Sequence, residues 1–182
     1  ITWYNAPGCN AEAVAQYFTT AIALGAVECG WDPHGKVIGI VGVGNVGRRV
    51  ARNARALGME VLLNDPPRAR AEGSAGFVSL QEIATRADII AFHVPLIKEG
   101  EDRTVHLLDD RLVDLLQRKP IIMNACRGAV TDTSALLRGL REGKITDLVM
   151  DCWEGEPNIS QELLKQTWLG TPHIAGFSAQ GK

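Results

Sequence analysis

The chain has 182 residues, 46% of them hydrophobic, with 19 lysines and arginines against 21 aspartates and glutamates. That length supports one domain or a little more with a sizeable core, and a net charge of −2 excludes the strongly basic surface of a nucleic-acid binder. No apolar run approaches the roughly 18 residues of a membrane helix, no signal peptide opens the chain, and the start at Ile1 reads as the middle of a loop, so a piece excised from a longer protein is expected.

Residues 1–9 predict a loop with a turn at Pro7-Gly8, after which Asn10 is placed to cap a helix. Val14, Phe18, Ala21, Ile22 and Gly25 recur at helical spacing through about Val27, an apolar face for packing on a sheet or a partner subunit. Residues 29–36, with Pro33 and Gly35, form a connector in which His34 is expected to face solvent.

Val37-Ile38-Gly39-Ile40-Val41 then reads as a buried strand. It enters a Gly-x-Gly-x-x-Gly turn made by Gly42, Gly44 and Gly47, followed by a helix from Asn45 to about Leu57 that Gly58 ends. A second apolar strand, Val61-Leu62-Leu63-Asn64, stops at Asp65. Each glycine has a distinct task in a dinucleotide site. Gly42 allows the tight turn, Gly44 lets a pyrophosphate reach the backbone, and Gly47 lets helix and strand pack closely. The helix N-terminus adds free N–H groups and the positive end of its dipole. Asp65 falls about 20 residues on, where an acid accepts hydrogen bonds from a ribose and repels a 2′-phosphate, so NAD is expected rather than NADP. Arg68 and Arg70 read as solvated loop arginines, and Arg48, Arg52 and Arg55 as a solvated helix face.

Pro66-Pro67 cannot extend a strand. A short helix is predicted over 79–86, a strand over 87–92 ending at His93-Val94-Pro95-Leu96, a charged loop over 97–104 and a helix over 107–116. The strand at 120–124 ends at Ala125-Cys126-Arg127-Gly128. A helix capped by Asp132 or Thr131 runs to about Glu142, and a strand over 145–150 ends on Asp151. A loop from Cys152 to Pro157, a helix at about 160–166 and the segment Thr171-Pro172-His173-Ile174-Ala175-Gly176 close the chain. Strands alternating with helices give an α/β fold, a Rossmann-type doubly wound parallel sheet in three α/β/α layers, as one domain over 1–182. The four cysteines, Cys9, Cys29, Cys126 and Cys152, show no zinc-like spacing and read as reduced, buried, unreactive thiols.

Ligands of such sheets bind beyond the carboxyl ends of the strands. Asp65, His93, Arg127, Asp151, Glu156 and His173 all fall there. Hydride transfer from an alcohol needs a base, a partner that orients it and a cation that holds the substrate. His173 suits the first role because histidine titrates near working pH. Glu156 suits the second, since a carboxylate at the ring stabilises imidazolium. Arg127 suits the third, as a planar fork matching a carboxylate. Glu154 competes with Glu156, and composition does not separate them. His93 is read as backbone beside the cofactor rather than as a second base, and His106 as structural.

The segments Gly-Val-Gly-Asn-Val-Gly at 42–47, His-Val-Pro-Leu at 93–96, Asn-Ala-Cys-Arg-Gly at 124–128, Asp-Cys-Trp-Glu-Gly-Glu-Pro at 151–157 and Thr-Pro-His-Ile-Ala-Gly at 171–176 resemble, in order, the D-isomer-specific 2-hydroxyacid dehydrogenase family. The resemblance implies Arg127, Glu156 (the Glu preceding Pro, not Glu154) and His173 as catalytic residues. It implies NAD contacts at Gly42, Gly44, Asn45, Val46, Gly47, Asp65, Val94, Ala125, Cys126, Arg127, Asp151 and Gly176, substrate contacts at Arg127 and Phe177, and no metal. Val94 stands where some members carry Thr. One branch is nearest, through Asn5-Ala6-Pro7-Gly8-Cys9-Asn10-Ala11, Asn64-Asp65-Pro66-Pro67-Arg68-Ala69 and the run from Pro172 to Lys182. Phe177 replaces a Tyr common in that branch. The branch implies a small phosphorylated 2-hydroxy acid as substrate and a cytoplasmic homodimer, with no nucleic-acid or membrane partner. It also implies a substrate-binding domain built from both chain ends and a C-terminal dimerisation segment, neither of them within these residues. Other acids, 3-phosphoglycerate or hydroxypyruvate, are alternatives, as is a non-enzymatic NAD-responsive binding module.

Overall fold

A computed structural model describes residues 5–179. The first four residues of the expected opening loop, and Gln180-Gly181-Lys182 of the closing run, lie outside the described residues. The chain runs α1 (Ala11–Cys29), β1 (Val37–Val41), α2 (Gly47–Ala56), β2 (Glu60–Asn64), α3 (Pro66–Glu72), α4 (Leu80–Arg86) and β3 (Ile89–Phe92). It continues through α5 (Asp110–Leu115), β4 (Ile121–Asn124), a 3₁₀ turn (Gly128–Val130), α6 (Thr133–Arg141), β5 (Asp147–Met150), α7 (Gln161–Gln166) and β6 (Leu169–Gly170).

All six strands are parallel, in the order β2-β1-β3-β4-β5-β6. Every strand therefore ends on one edge, and the order reverses between β1 and β3. That switch point opens a crevice just past the two strand ends. The strand side chains alternate between two cores. Ile38, Ile40, Ile89, Ala91, Met123 and Val149 pack under α1 and α2. Val37, Val41, Ile90, Phe92, Ile122, Leu148 and Met150 pack under α4, α5 and α6. A continuous apolar strand follows, because both faces are covered. Gly39 is needed within it, since a Cβ there would lie 2.3 Å from Cγ2 of Ile83 on α4. The α/β/α layering is the expected one, and the predicted stripe of α1, from Val14 to Gly25, is buried.

Several local expectations are corrected. Asn10 does not cap α1 with its side chain. The Asn10 amide instead points toward Gly176, where a Cβ would meet Nδ2 at 2.6 Å. Pro66 and Pro67 start a helix, because a missing N–H costs nothing in a first turn. Arg68 and Arg70 are therefore helical and paired, Arg68 with Glu72 at 2.7 Å and Arg70 with Asp102 at 2.6 Å, rather than free in a loop. The helix expected from 107 starts at Asp110, because Leu108 pairs with Thr131 in an isolated parallel bridge. Only Cys152 of the four cysteines is buried, and Cys9 and Cys29 are exposed. The two-residue β6 was not anticipated. No helix among the described residues is long and apolar enough to cross a membrane.

Candidate functional site

The glycine turn joins the ends of β1, β2 and β3. Gly42 has φ +91°, and a Cβ on it would stand 2.8 Å from the backbone carbon and oxygen of His93. Its N–H donates to the carbonyl of Asn64 at 2.8 Å. Gly47 presses on the same turn, where a Cβ would lie 1.9 Å from the Gly42 oxygen. Gly44 differs, since a Cβ there would meet nothing within 4 Å. Two glycines thus serve internal packing, and the third faces open space beside the first turn of α2. Asn45 and Val46 complete the turn, and Asn45 abuts the Pro7-Gly8 turn. The residues fit a dinucleotide phosphate at Gly44.

Asp65 ends β2 and performs two local tasks. Oδ1 accepts from the N–H of Arg68 at 3.1 Å as the cap of α3, and Oδ2 accepts from the N–H of Val43 at 2.8 Å. Arg68 donates to the carbonyl of Val43 at 2.6 Å and lies over the Phe77 ring. A cleft of about 500 Å³ lies here, lined by Gly42, Gly44, Asp65, Val94, Pro95 and Thr104. His93 borders it, but its ring stacks edge-on against Phe18 at 4.5 Å and Nε2 is buried without a partner. Burial pushes its pKa down to about 3, so the ring is neutral. This agrees with a backbone role rather than a base.

At the end of β4, the Cys126 N–H donates to Oδ1 of Asn124 at 3.1 Å, and burial pushes the Cys126 thiol up to about 11. Arg127 is exposed, and its Nη1 donates to the Cys126 carbonyl at 2.6 Å. Gly128 lets this loop touch the next one, since a Cβ on it would stand 2.0 Å from the Trp153 carbonyl. The strand-end loops bearing Arg127 and Glu156 are thereby held against each other.

His173 and Glu156 meet. Oε2 of Glu156 lies 2.9 Å from Nδ1 of His173, while Oε1 accepts from the N–H of Trp153 at 2.6 Å. Glu154 faces elsewhere, bonded to Nε2 of His106 at 2.5 Å and to the N–H of Thr133 at 3.1 Å. Of the two glutamates that composition does not separate, it is Glu156, the one the resemblance implies, whose side chain meets His173. His106 is structural, as expected, and also approaches Asp132 at 3.3 Å. An apolar hollow of about 410 Å³ adjoins the pair, lined by Trp153, Pro157, Thr171 and Pro172.

Asp151 underlies this geometry in a way sequence reasoning missed. It is 1% exposed. Oδ1 accepts from the Thr171 hydroxyl and the Ile174 N–H, both at 2.7 Å, and Oδ2 accepts from the Ala175 N–H at 2.9 Å. Its carbonyl accepts from the His173 N–H at 2.8 Å. Three backbone bonds to one residue pin the turn that presents His173, whose φ is +57°. The signal available in sequence was only an acid at a strand end. Gly176 follows this turn, and Phe177 beyond it is 73% exposed.

A family model described as D-isomer specific 2-hydroxyacid dehydrogenase, NAD binding domain, matches residues 16–175. The erythronate-4-phosphate dehydrogenase of Bacteroides thetaiotaomicron is 51% identical over 182 residues, covering 100% of this chain and 52% of that protein. The enzyme of that name from Escherichia coli O81 is 50% identical over 177 residues, covering 97% of this chain and 47% of its own. The chain thus spans about half the length of the curated relatives it matches. Among solved structures, the holo form of Rhodotorula graminis D-mandelate dehydrogenase superposes with a TM-score of 0.81 at 25% identity, over 100% of this chain and 61% of that one. Aquifex aeolicus D-lactate dehydrogenase, complexed with NAD and lactic acid, gives a TM-score of 0.78 at 26% identity, over 97% of this chain and 63% of that one.

Proposed function

Because the chain belongs to the D-isomer-specific 2-hydroxyacid dehydrogenase family, as its NAD-binding domain, we propose that it serves the NAD-dependent oxidation of 4-phospho-D-erythronate to 2-oxo-3-hydroxy-4-phosphobutanoate, within pyridoxal phosphate biosynthesis. The observation that carries this reading is the Glu156–His173 contact at the edge where the glycine turn opens, in a chain about half identical to enzymes of that name.

The residues divide the work. The Gly42–Gly47 turn and the N-terminus of α2 would hold the pyrophosphate of NAD, with Asp65 on the adenosine ribose and Val94, the 125–127 backbone, Asp151 and Gly176 along the nicotinamide half. NAD supplies the hydride acceptor. His173 Nε2, directed away from Glu156, takes the proton of the substrate hydroxyl. Glu156 holds Nδ1–H and offsets the charge that develops on the ring. Arg127 pairs with the substrate carboxylate in a forked bond, and Phe177 flanks the substrate without a hydroxyl to offer. We assign the grip on the substrate phosphate, and dimerisation, to segments beyond these 182 residues, in a cytoplasmic homodimer.

Calorimetric titration of the chain with NAD and NADP, beside Asp65→Ala, tests the cofactor half. Binding of NAD that weakens in the variant is the expected outcome, and preference for NADP would overturn it. Assay of the complete enzyme on 4-phospho-D-erythronate, 3-phosphoglycerate and the reverse reaction with hydroxypyruvate tests the substrate. A higher kcat/KM on either of the latter two would reassign it.

A further inference from the structure

We propose that Cys152, Glu156 and His173 form a binding site for a thiophilic divalent metal ion of the zinc type, which on binding takes His173 out of service as a base. No zinc-like spacing marks these residues in the sequence. The fold brings them together, with one donor atom from each lying within 4.8 Å of the others.

The donor set has the right chemistry. A thiolate, a carboxylate and a neutral imidazole carry two negative charges, matching a divalent ion. Sulfur with nitrogen selects zinc, cobalt or cadmium over magnesium or calcium. Zinc bonds of roughly 2.0–2.3 Å place neighbouring donors roughly 3.5 Å apart, so closure needs side-chain adjustment on the order of 1 Å. The frame is otherwise set. Cys152 is fully buried, Glu156 is fixed through Oε1 to the Trp153 N–H at 2.6 Å, and the His173 backbone is held by Asp151 at 2.8 Å. An ion has a path in from solvent, since the side chains of His173 and Glu156 are 48% and 34% exposed.

Two terms oppose binding. Burial, with Asp151 nearby, holds the Cys152 thiol well above its ordinary range, and Arg127 is a cation close to the sulfur. The ion must therefore displace the thiol proton into solvent, so affinity rises with pH. Glu156 then exchanges its bond to Nδ1 for a bond to the metal. The imidazole proton moves to Nε2, the nitrogen that would otherwise receive the hydroxyl proton. One proton leaves, from sulfur, and the ring stays neutral. The metal-bound form is thereby a poor base.

The test needs neither nucleotide nor substrate, so its failure is separate from that of the proposed activity. The 182-residue chain is titrated with Co2+, which gives an intense near-ultraviolet thiolate-to-cobalt absorption. The expected result is that absorption at one equivalent, displaced by Zn2+, absent in Cys152→Ala and weakened ten-fold or more in Glu156→Gln and in His173→Asn. A double Cys9→Ala, Cys29→Ala variant, which removes the exposed thiols, is expected to keep it. Circular dichroism checks folding, and Cys152→Ser repeats the test if the alanine variant does not fold. No absorption in the parent chain, its survival without Cys152, or indifference to Glu156 and His173 would each overturn the site.

Discussion

Glu156 and His173 stand 2.9 Å apart through Oε2 and Nδ1, whereas Glu154, two positions earlier in the loop, bonds His106. One loop thus carries two carboxylate–histidine pairs of different consequence. In the complete enzyme, Glu156→Gln and His173→Asn are expected to lower kcat, the histidine variant by about 100- to 10,000-fold, while NAD binding persists. Glu154→Gln is expected to leave kcat within a few-fold and to cost less than about 1 kcal/mol in stability, because its pairing is partly exposed. Steady-state kinetics and urea unfolding of the three variants check this. Loss of kcat in Glu154→Gln equal to that in Glu156→Gln would contradict the assignment.

The glycine turn separates folding from binding. Gly42→Ala forces a left-handed φ of +91° and an overlap with the His93 backbone at 2.8 Å, so a destabilisation above about 2 kcal/mol is expected. Gly44→Ala adds a methyl to open space. It is expected to leave the unfolding midpoint near that of the parent chain and to weaken NAD by ten-fold or more, because the methyl occupies the place of a phosphate. Unfolding and calorimetry on the same two samples read both effects. Unchanged NAD affinity in a folded Gly44→Ala chain would remove the phosphate from this turn.

What the sequence made legible follows from periodicity and punctuation. Apolar runs such as Val37-Ile38-Gly39-Ile40-Val41 mark strands covered on both faces, and Gly58 and Gly143 mark helix ends. That His173 and a glutamate of the 152–157 loop could meet was legible because residues at parallel strand ends share one edge. Other features depend on contacts that no local stretch of sequence encodes. Pro66-Pro67 is a strand breaker and equally a good first helical turn, and only the Asp65 cap on Arg68 decides between them. Strand β6, two residues long, has no periodicity to detect. The resemblance separates Glu156 from Glu154 but residue type does not, because two side chains so close in sequence take different partners only through the backbone of the loop. The service of Asp151 to the 171–175 turn is a long-range set of bonds that no local pattern encodes.

Asp65 offers a test of cap against charge. Asp65→Asn keeps an oxygen for the Arg68 N–H and loses the negative charge. Its amide nitrogen then faces the Val43 N–H, so a loss of about 1 kcal/mol is expected, while discrimination against NADP relaxes. Asp65→Ala loses both local bonds, and is expected to cost about 1–2 kcal/mol as well as weakening NAD. Comparing NAD and NADP affinities with the unfolding midpoint of each variant separates the terms. An asparagine variant that still rejects NADP as strongly as the parent would assign the discrimination to another residue.

Asp151 is the buried acceptor of the 171–175 turn, so its replacement should loosen that turn before the sheet. In Asp151→Asn one acceptor oxygen becomes an amide donor facing backbone N–H groups that already donate to it. Leaving such groups unpaired costs about 1–3 kcal/mol. Hydrogen exchange is expected to accelerate at Ile174 and Ala175 while Ile122 and Val149 in β4 and β5 stay protected. Uniform acceleration across the sheet would mean that Asp151 supports the whole domain rather than the turn.

His93 makes stability depend on acid in a definite window. Its folded pKa lies near 3 through burial, against about 6.5 when unfolded. Between those values the unfolded chain binds a proton that the folded chain refuses, so stability falls as pH falls below about 6.5 and this loss ends near 3. The slope within the window is about 1.4 kcal/mol per pH unit from this one group. Above 6.5 the imidazole is neutral in both states and contributes no slope. His93→Leu removes the proton site and is expected to flatten the curve of unfolding free energy against pH between 4 and 6 by close to that amount. Comparing slopes rather than absolute stabilities cancels any cost of repacking against Phe18, whose ring meets His93 at 4.5 Å. Equal slopes in parent and variant would mean that the ring is solvated and protonates in place.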